Sequence, residues 1–251
     1  MVKIKFSLAE LYYLALLMKQ KTILGFPNLF EILNEDQIQE QMDAAREMLL
    51  QRNILKKDGN GNFDVDSTVV NIMVCCCNTT QYIEFVREGK TIEDSCQITY
   101  YKVNENETLA CSKSDEDFFY EFYLLQSSND LKSDIIANIG DSFQTSPEIE
   151  YFAFAPETFA NIVDGTFDIS ALDGDGDNIR KDFAKEFMAN RTVYYFIRYK
   201  KNGEEWEEDR INLIGLENNL WILRNDEIDN DVKIVVVDEE LGIKLFDGII
   251  T

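Results

Sequence analysis

The chain has 251 residues, 45% of them apolar and 28% charged, the proportions of a globular protein of one large domain or two small ones. With 24 basic against 47 acidic side chains its formal net charge is −23, which excludes a binder of nucleic acid or anionic membrane and suits a basic protein partner. It contains no histidine, which removes Ser-His-Asp and Cys-His nucleophile systems, histidine general bases and most zinc sites.

The opening segment MVKIKFSLAELYYLALLMKQK has the basic start and apolar centre of a signal peptide, but Glu10 interrupts the apolar run and no small-residue cleavage site follows. Ser7 with Glu10 three residues later is a capping box, so the segment predicts an amphipathic helix over 7–20. PNLFEIL (27–33) predicts a short helix. Residues 34–55 predict a longer one, capped by Asn34 or Asp36, with apolar positions at Ile38, Met42, Ala45, Met48 and Leu49. KKDGNGNFDVD is a turn. STVVNIMVCCCN (67–78) predicts a helix, started by Asp66 and Ser67 and stopped at Asn78.

Four strands follow at 79–88, 95–104, 107–114 and 117–126, joined by short polar turns that imply an antiparallel meander. NDLKSDIIANIG then predicts a helix ended by Gly140. Residues 141–165 read as a linker leading into a helix, and NIRKDFAKEFMAN as a helix with Ile179, Phe183 and Phe187 on one face. Strands are predicted at 219–226, 232–240 and 242–250. The order, helices then meander twice over, predicts an α+β fold of two similar halves, 1–140 and 141–251, whose sheets are covered by helices. Charge is uneven: residues 1–70 hold 8 basic and 10 acidic side chains, net −2, and residues 71–251 hold 16 and 37, net −21.

Between the last predicted helix and those final strands lies TVYYFIRYKKNGEEWEEDRINLIG (192–215), which predicts a β-hairpin. Asn202-Gly203 suits a type I′ turn. That register places Lys201 opposite Glu204, Lys200 opposite Glu205, Tyr199 opposite Trp206 and Arg198 opposite Glu207. Tyr199 and Trp206, near the turn and far from a core, are candidate partner-binding residues together with Glu204, Glu205 and Glu207. The alternative is that the two rings stack on each other and clip the hairpin.

Other motifs carry less. Asp173, Asp175 and Asp177 match the first ligands of an EF-hand loop, but Asn178 replaces its glycine and Ala184 its bidentate glutamate, so a solvated helix-capping loop is expected. Residues 58–69 fail at the same two positions. Cys75, Cys76 and Cys77 are consecutive and cannot pair with one another without strain; with Cys96 and Cys111 they read as small hydrophobes in a reducing compartment. No metal site and no cofactor are expected. The first helices followed by NILKKDGNGNFDVD outline a winged helix, but the region that would read DNA, NEDQIQEQMDAARE, is acidic. A gel-shift titration at physiological salt is therefore expected to show no binding of DNA or RNA; salt-sensitive submicromolar binding would revive that outline.

Several stretches together carry a family resemblance. FSLAELYYLALLM opens the chain, AAREMLLQRNILKKDGN ends a helix in a glycine turn, and DVDSTVVNIMVCCCNTTQYIEFVREG joins a small-residue helix to a strand. A second helix-then-sheet half ends with KKNGEEWEED and VKIVVVDEELGIKLFDG. This layout resembles the EspG-like proteins of type VII (ESX) secretion systems, in their Gram-positive branch of uncharacterised proteins. The resemblance implies a cytosolic, non-enzymatic chaperone that binds a helical secretion substrate, here of LXG or WXG100-like type. An acidic immunity protein neutralising a basic secreted toxin is the alternative.

Overall fold

The computed structural model describes residues 3–113, 119–139, 151–172, 178–216, 219–225, 231–237 and 239–250. Gly140, the linker at 141–150 and the aspartates at 173, 175 and 177 lie outside them. The fold is α+β, with antiparallel strands and helices in two compact units. One comprises Met1–Glu84, Gln97–Leu131 and Tyr199–Glu207; the other comprises Phe85–Cys96, Lys132–Arg198 and Glu208–Thr251.

In the first unit, strand β1 (Ile4–Ser7) runs into helix α1 (Leu8–Leu17). The predicted capping box is present: Ser7 Oγ accepts from the Glu10 amide at 3.2 Å, and a Glu10 carboxylate oxygen accepts from the Ser7 amide at 2.8 Å. Helix α2 (Leu29–Ile32) starts at Asn28, and α3 (Glu35–Gln51) at a second box made by Asn34 and Gln37. The glycine-rich turn joins a small hairpin, β2 (Leu55–Lys57) and β3 (Phe63–Val65). Helix α4 (Ser67–Asn78) forms where predicted, because Asp66 accepts from the amides of Thr68 and Val69.

After β4 (Gln81–Glu88) come β5 (Cys96–Lys102), β6 (Thr108–Lys113) and β7 (Phe119–Leu125), the predicted meander. β5, β6 and β7 pair antiparallel in sequence order, and β1 closes the far side of β7 with Phe6 opposite Tyr120. The core combines Phe6, Leu11, Leu14, Leu49, Met73, Cys76, Tyr101 and Phe122, all at 1% exposure or less. β1 was not predicted: its Ile4/Phe6 alternation is too short to separate from the helix that follows.

All five cysteines are free. Burial pushes the thiols of Cys76 and Cys111 well up and that of Cys77 to about 11, so these three are protonated, unreactive apolar fillers, as their sequence context suggested.

Glu10 is 2% exposed and does more than cap. Its other carboxylate oxygen accepts from Arg52 Nη1 at 2.9 Å, and Arg52 Nη2 donates to the Lys5 carbonyl at 2.5 Å, which ties the end of α3 to β1. Removing the guanidinium leaves a buried carboxylate without its counter-ion. Arg52→Ala is expected to destabilise by about 3 kcal/mol, with part of that recovered in Glu10→Gln/Arg52→Ala. Urea unfolding of Arg52→Ala, Glu10→Gln and the double variant checks this; additive losses would refute the coupling.

In the second unit, α5 (Ser128–Ile139) contributes its later turns, followed by β8 (Tyr151–Phe154), α6 (Pro156–Val163) and α7 (Asn178–Asn190). Strands β9 (Thr192–Asn202) and β10 (Glu205–Leu216) form the predicted hairpin, of which Tyr199–Glu207 belongs to the first unit, and β11 (Asn219–Asn225), β12 (Val232–Val236) and helix α8 (Glu239–Ile250) follow. β10, β11, β12 and β8 pair antiparallel in that order. Phe152 and Phe154 of β8 point into a cluster with Ile162, Phe183, Phe187 and Trp221, consistent with the predicted apolar face of α7.

Two expectations fail here. Tyr151–Phe154, read as linker, is a strand: Phe152 and Phe154 alternate inward, and Pro156 in the first turn of α6 ends the extended run. Residues 242–250, read as a strand, are helical: Gly242 and Phe246 are buried and Ile250 half-buried, a spacing of four that suits one helix face. Lys132 pairs with Asp247 on the same helix.

Candidate functional site

The hairpin turn differs from the sequence expectation by one residue. β9 ends at Asn202 and β10 begins at Glu205, so Gly203 and Glu204 form the turn. Gly203 has φ +66°, while among described non-glycine residues only Lys19 and Asn53 have positive φ. A glycine at the first central position alone in the left-handed region is the type II′ arrangement; type I′ needs positive φ at Asn202 as well. The slip brings Arg198 opposite Asp209 instead of Glu207: its guanidinium donates twice to Asp209 Oδ2, at 3.1 and 2.6 Å, and to the Gly248 carbonyl at 2.8 Å.

The expected Lys200–Glu205 and Lys201–Glu204 pairs do not form; among the described residues none of these four side chains has an ion-pair partner. Glu207 instead accepts from Asn202 Nδ2 at 2.7 Å. Residues 200–210 are exposed throughout. Glu204 and Glu205 thus project into water beside Glu207, free of neutralising cations.

Tyr199 and Trp206 are no longer directly opposite; they lie diagonally on one face of the hairpin. Both pack on Tyr82 of β4. The Tyr82 and Tyr199 rings stack at 4.6 Å and 17°, and Trp206 meets Tyr82 edge-on at 5.4 Å and 73°. Tyr82 also stacks at 6.2 Å on the fully buried Tyr101, whose hydroxyl donates to the Leu24 carbonyl at 2.7 Å. The Lys201 amide donates to the Thr80 carbonyl at 2.8 Å and holds this part of β9 in place. Trp206 keeps 37% of its surface exposed. The tip therefore presents an indole edge, backed by an ordered aromatic column, in the middle of carboxylates.

Tyr82 is the residue sequence reasoning missed. It sits in an ordinary alternating strand segment, and nothing local marks it as the partner of rings more than a hundred positions away. The base of the hairpin is less symmetric than its apolar sequence suggests. Tyr194 and Phe196 are buried against Phe85, and Phe196 also against Phe246, while Val193, Tyr195 and Ile197 are half-exposed. Among the described residues no group of three or more Cys, Asp or Glu side chains is placed to hold a metal ion, and no helix is long and apolar enough to cross a membrane.

No protein-family model and no curated protein matches the sequence. The structure, by contrast, is similar over nearly its whole length to a solved one. It superposes on the Mycobacterium tuberculosis type VII secretion system chaperone EspG5, solved in complex with the PE25–PPE41 dimer. The TM-score is 0.67 at 9% sequence identity, over 99% of this chain and 95% of EspG5, so the chain shares the EspG5 fold.

Proposed function

We propose that this protein is an EspG-like, non-enzymatic cytoplasmic chaperone or adaptor of a type VII secretion system that binds a helical export substrate. The observation that carries the reading is the fold match, which extends end to end over both chains instead of over one common substructure. EspG5 was solved with a PE–PPE dimer; the substrate here is taken to be an LXG or WXG100-like helical protein, and the chain is taken to consist of two halves, 1–140 and 141–251.

The binding residues in this reading are Tyr199 and Trp206 as aromatic anchors and Glu204, Glu205 and Glu207 as the acidic rim that steers a basic helix. Aromatic side chains dominate interface hot spots, while rim charges mainly set the rate and specificity of encounter. The net charge of −23 supports a second reading, an immunity protein that neutralises a basic toxin.

A pull-down against separated halves of a secreted protein encoded beside this one distinguishes the two. Retention of the N-terminal helical targeting half is the expected result. Retention of the C-terminal toxin half alone would support the immunity reading instead, and retention of neither half would count against both.

A further inference from the structure

A cavity of about 560 Å³ opens in the second unit where the end of β4 and the loop after it face the end of α7. Four charged side chains line it: Arg87, Lys90, Asp94 and Glu186. They do not neutralise one another. Among the described residues Arg87 donates only to backbone, to the carbonyls of Asp94 and Asn138 at 2.8 and 2.9 Å. Lys90 donates to the side-chain carbonyl of Asn190, and the amide of the same Asn190 donates to Glu186 at 2.6 Å. Asp94 accepts from the Thr91 hydroxyl at 2.9 Å.

A neutral carboxamide thus stands between a cation and a carboxylate, and among the described residues neither Arg87 nor Lys90 meets a carboxylate. One wall is the Tyr194 ring, held by its hydroxyl on the Ile139 carbonyl at 2.9 Å. A Cβ at Gly215 would stand 3.0 Å from that ring, so a larger residue there would have to push the wall aside by a few tenths of an ångström.

We propose that this cavity binds a small zwitterion carrying an ammonium and a carboxylate group, a free amino acid or a short peptide. Its carboxylate would sit on Arg87 and Lys90 and its ammonium on Glu186. A simple anion meets two lining carboxylates in a protein of charge −23, and a simple cation meets Arg87 and Lys90. Only a ligand with both signs matches the unspent charges on the two sides of Asn190. The volume lies within the range of about 300–1,000 Å³ found for small-molecule sites. The proposal is independent of partner capture by the hairpin.

The test is a thermal-shift screen of the full chain against the proteinogenic L-amino acids and glycylglycine, followed by calorimetry on the best binder. Its N-acetyl and amide derivatives follow, with all solutions matched in ionic strength. The expected result is a submillimolar Kd that weakens about tenfold or more when either charge of the ligand is removed. Glycylglycine preferred over every free amino acid assigns the site to peptides, and the reverse to amino acids.

Lys90→Gln and Glu186→Gln are expected to weaken binding about tenfold with unchanged melting, since both side chains lie at the cavity and keep a hydrogen-bonding amide. Lys56→Gln, in the first unit, controls for net charge and should change nothing. Absence of any binding below about 10 mM would overturn the proposal, given that charge-assisted contacts to both ends of a ligand give far tighter sites. Equal affinity for the N-acetyl derivative, or for Lys90→Gln and wild type, would do so as well.

Discussion

Trp206→Ala is expected to weaken partner binding by about 2 kcal/mol or more, roughly thirtyfold in Kd, while lowering stability by only about 1 kcal/mol. The two numbers come from different contacts. Toward the protein, the indole makes one edge-on contact with Tyr82 at 5.4 Å and leaves 37% of its surface in water. Such an aromatic pair is worth about 0.5–1.5 kcal/mol beyond area burial. Toward a partner, the exposed edge is the only large apolar surface in a run of exposed charge from 200 to 210, and its burial would exclude water at the centre of a polar rim.

The neighbouring carboxylates make a separate prediction within the same experiment. Glu204→Gln/Glu205→Gln should slow association and flatten its salt dependence more than it changes dissociation, because among the described residues these groups have no ion-pair partner. Melting and calorimetry on Trp206→Ala decide the role. A variant that melts lower yet binds as wild type would reduce Trp206 to a clip on Tyr82.

Phe183→Ala should have the largest effect on stability, a loss of about 3–5 kcal/mol. Phe183 is 4% exposed and lies within ring contact of four aromatic side chains: Phe152 at 5.1 Å, Trp221 at 5.5 Å, Phe187 at 5.6 Å and Phe154 at 6.1 Å. Removing the ring leaves a cavity walled by rigid planar groups from α7, β8 and β11, which have few rotamers with which to refill it. Against a typical total of about 5–15 kcal/mol, the variant would be near the edge of folding. Phe183→Leu, which keeps most of the volume, should lose only about 1–2 kcal/mol and gives a measurable intermediate case. A loss below about 1 kcal/mol for the alanine variant would mean that the cluster relaxes around the gap.

Local rules governed most of the secondary structure. The capping box at Ser7 and Glu10, the Asn34 and Asp66 caps, the four-residue spacing of Phe183 and Phe187, and the polar turns of the meander all act within a few residues. The caps and the helix face appear where the sequence placed them, and so does the described turn between β5 and β6. Two of the failures share one feature. Ile4–Ser7 and Tyr151–Phe154 are four-residue strands, too short for periodicity to establish, and each exists because a distant strand, β7 or β12, supplies its hydrogen bonds. Residues 242–250 alternate well enough to pass for a strand, and burial of Gly242 and Phe246 on one side selects the helix.

The hairpin shows the same division at the scale of the candidate site. Composition alone determined that the protein is strongly acidic and lacks histidine, and pattern alone determined an α+β chain with a charged, aromatic hairpin near its end. The turn register was decided by backbone conformation, since one glycine at positive φ satisfies type II′ and leaves Asn202 in the strand. That single-residue slip broke three anticipated ion pairs and left Glu204 and Glu205 without an ion-pair partner among the described residues. What backs Trp206 was decided only by the tertiary structure, because Tyr82 and Trp206 meet over a sequence separation that no local propensity encodes.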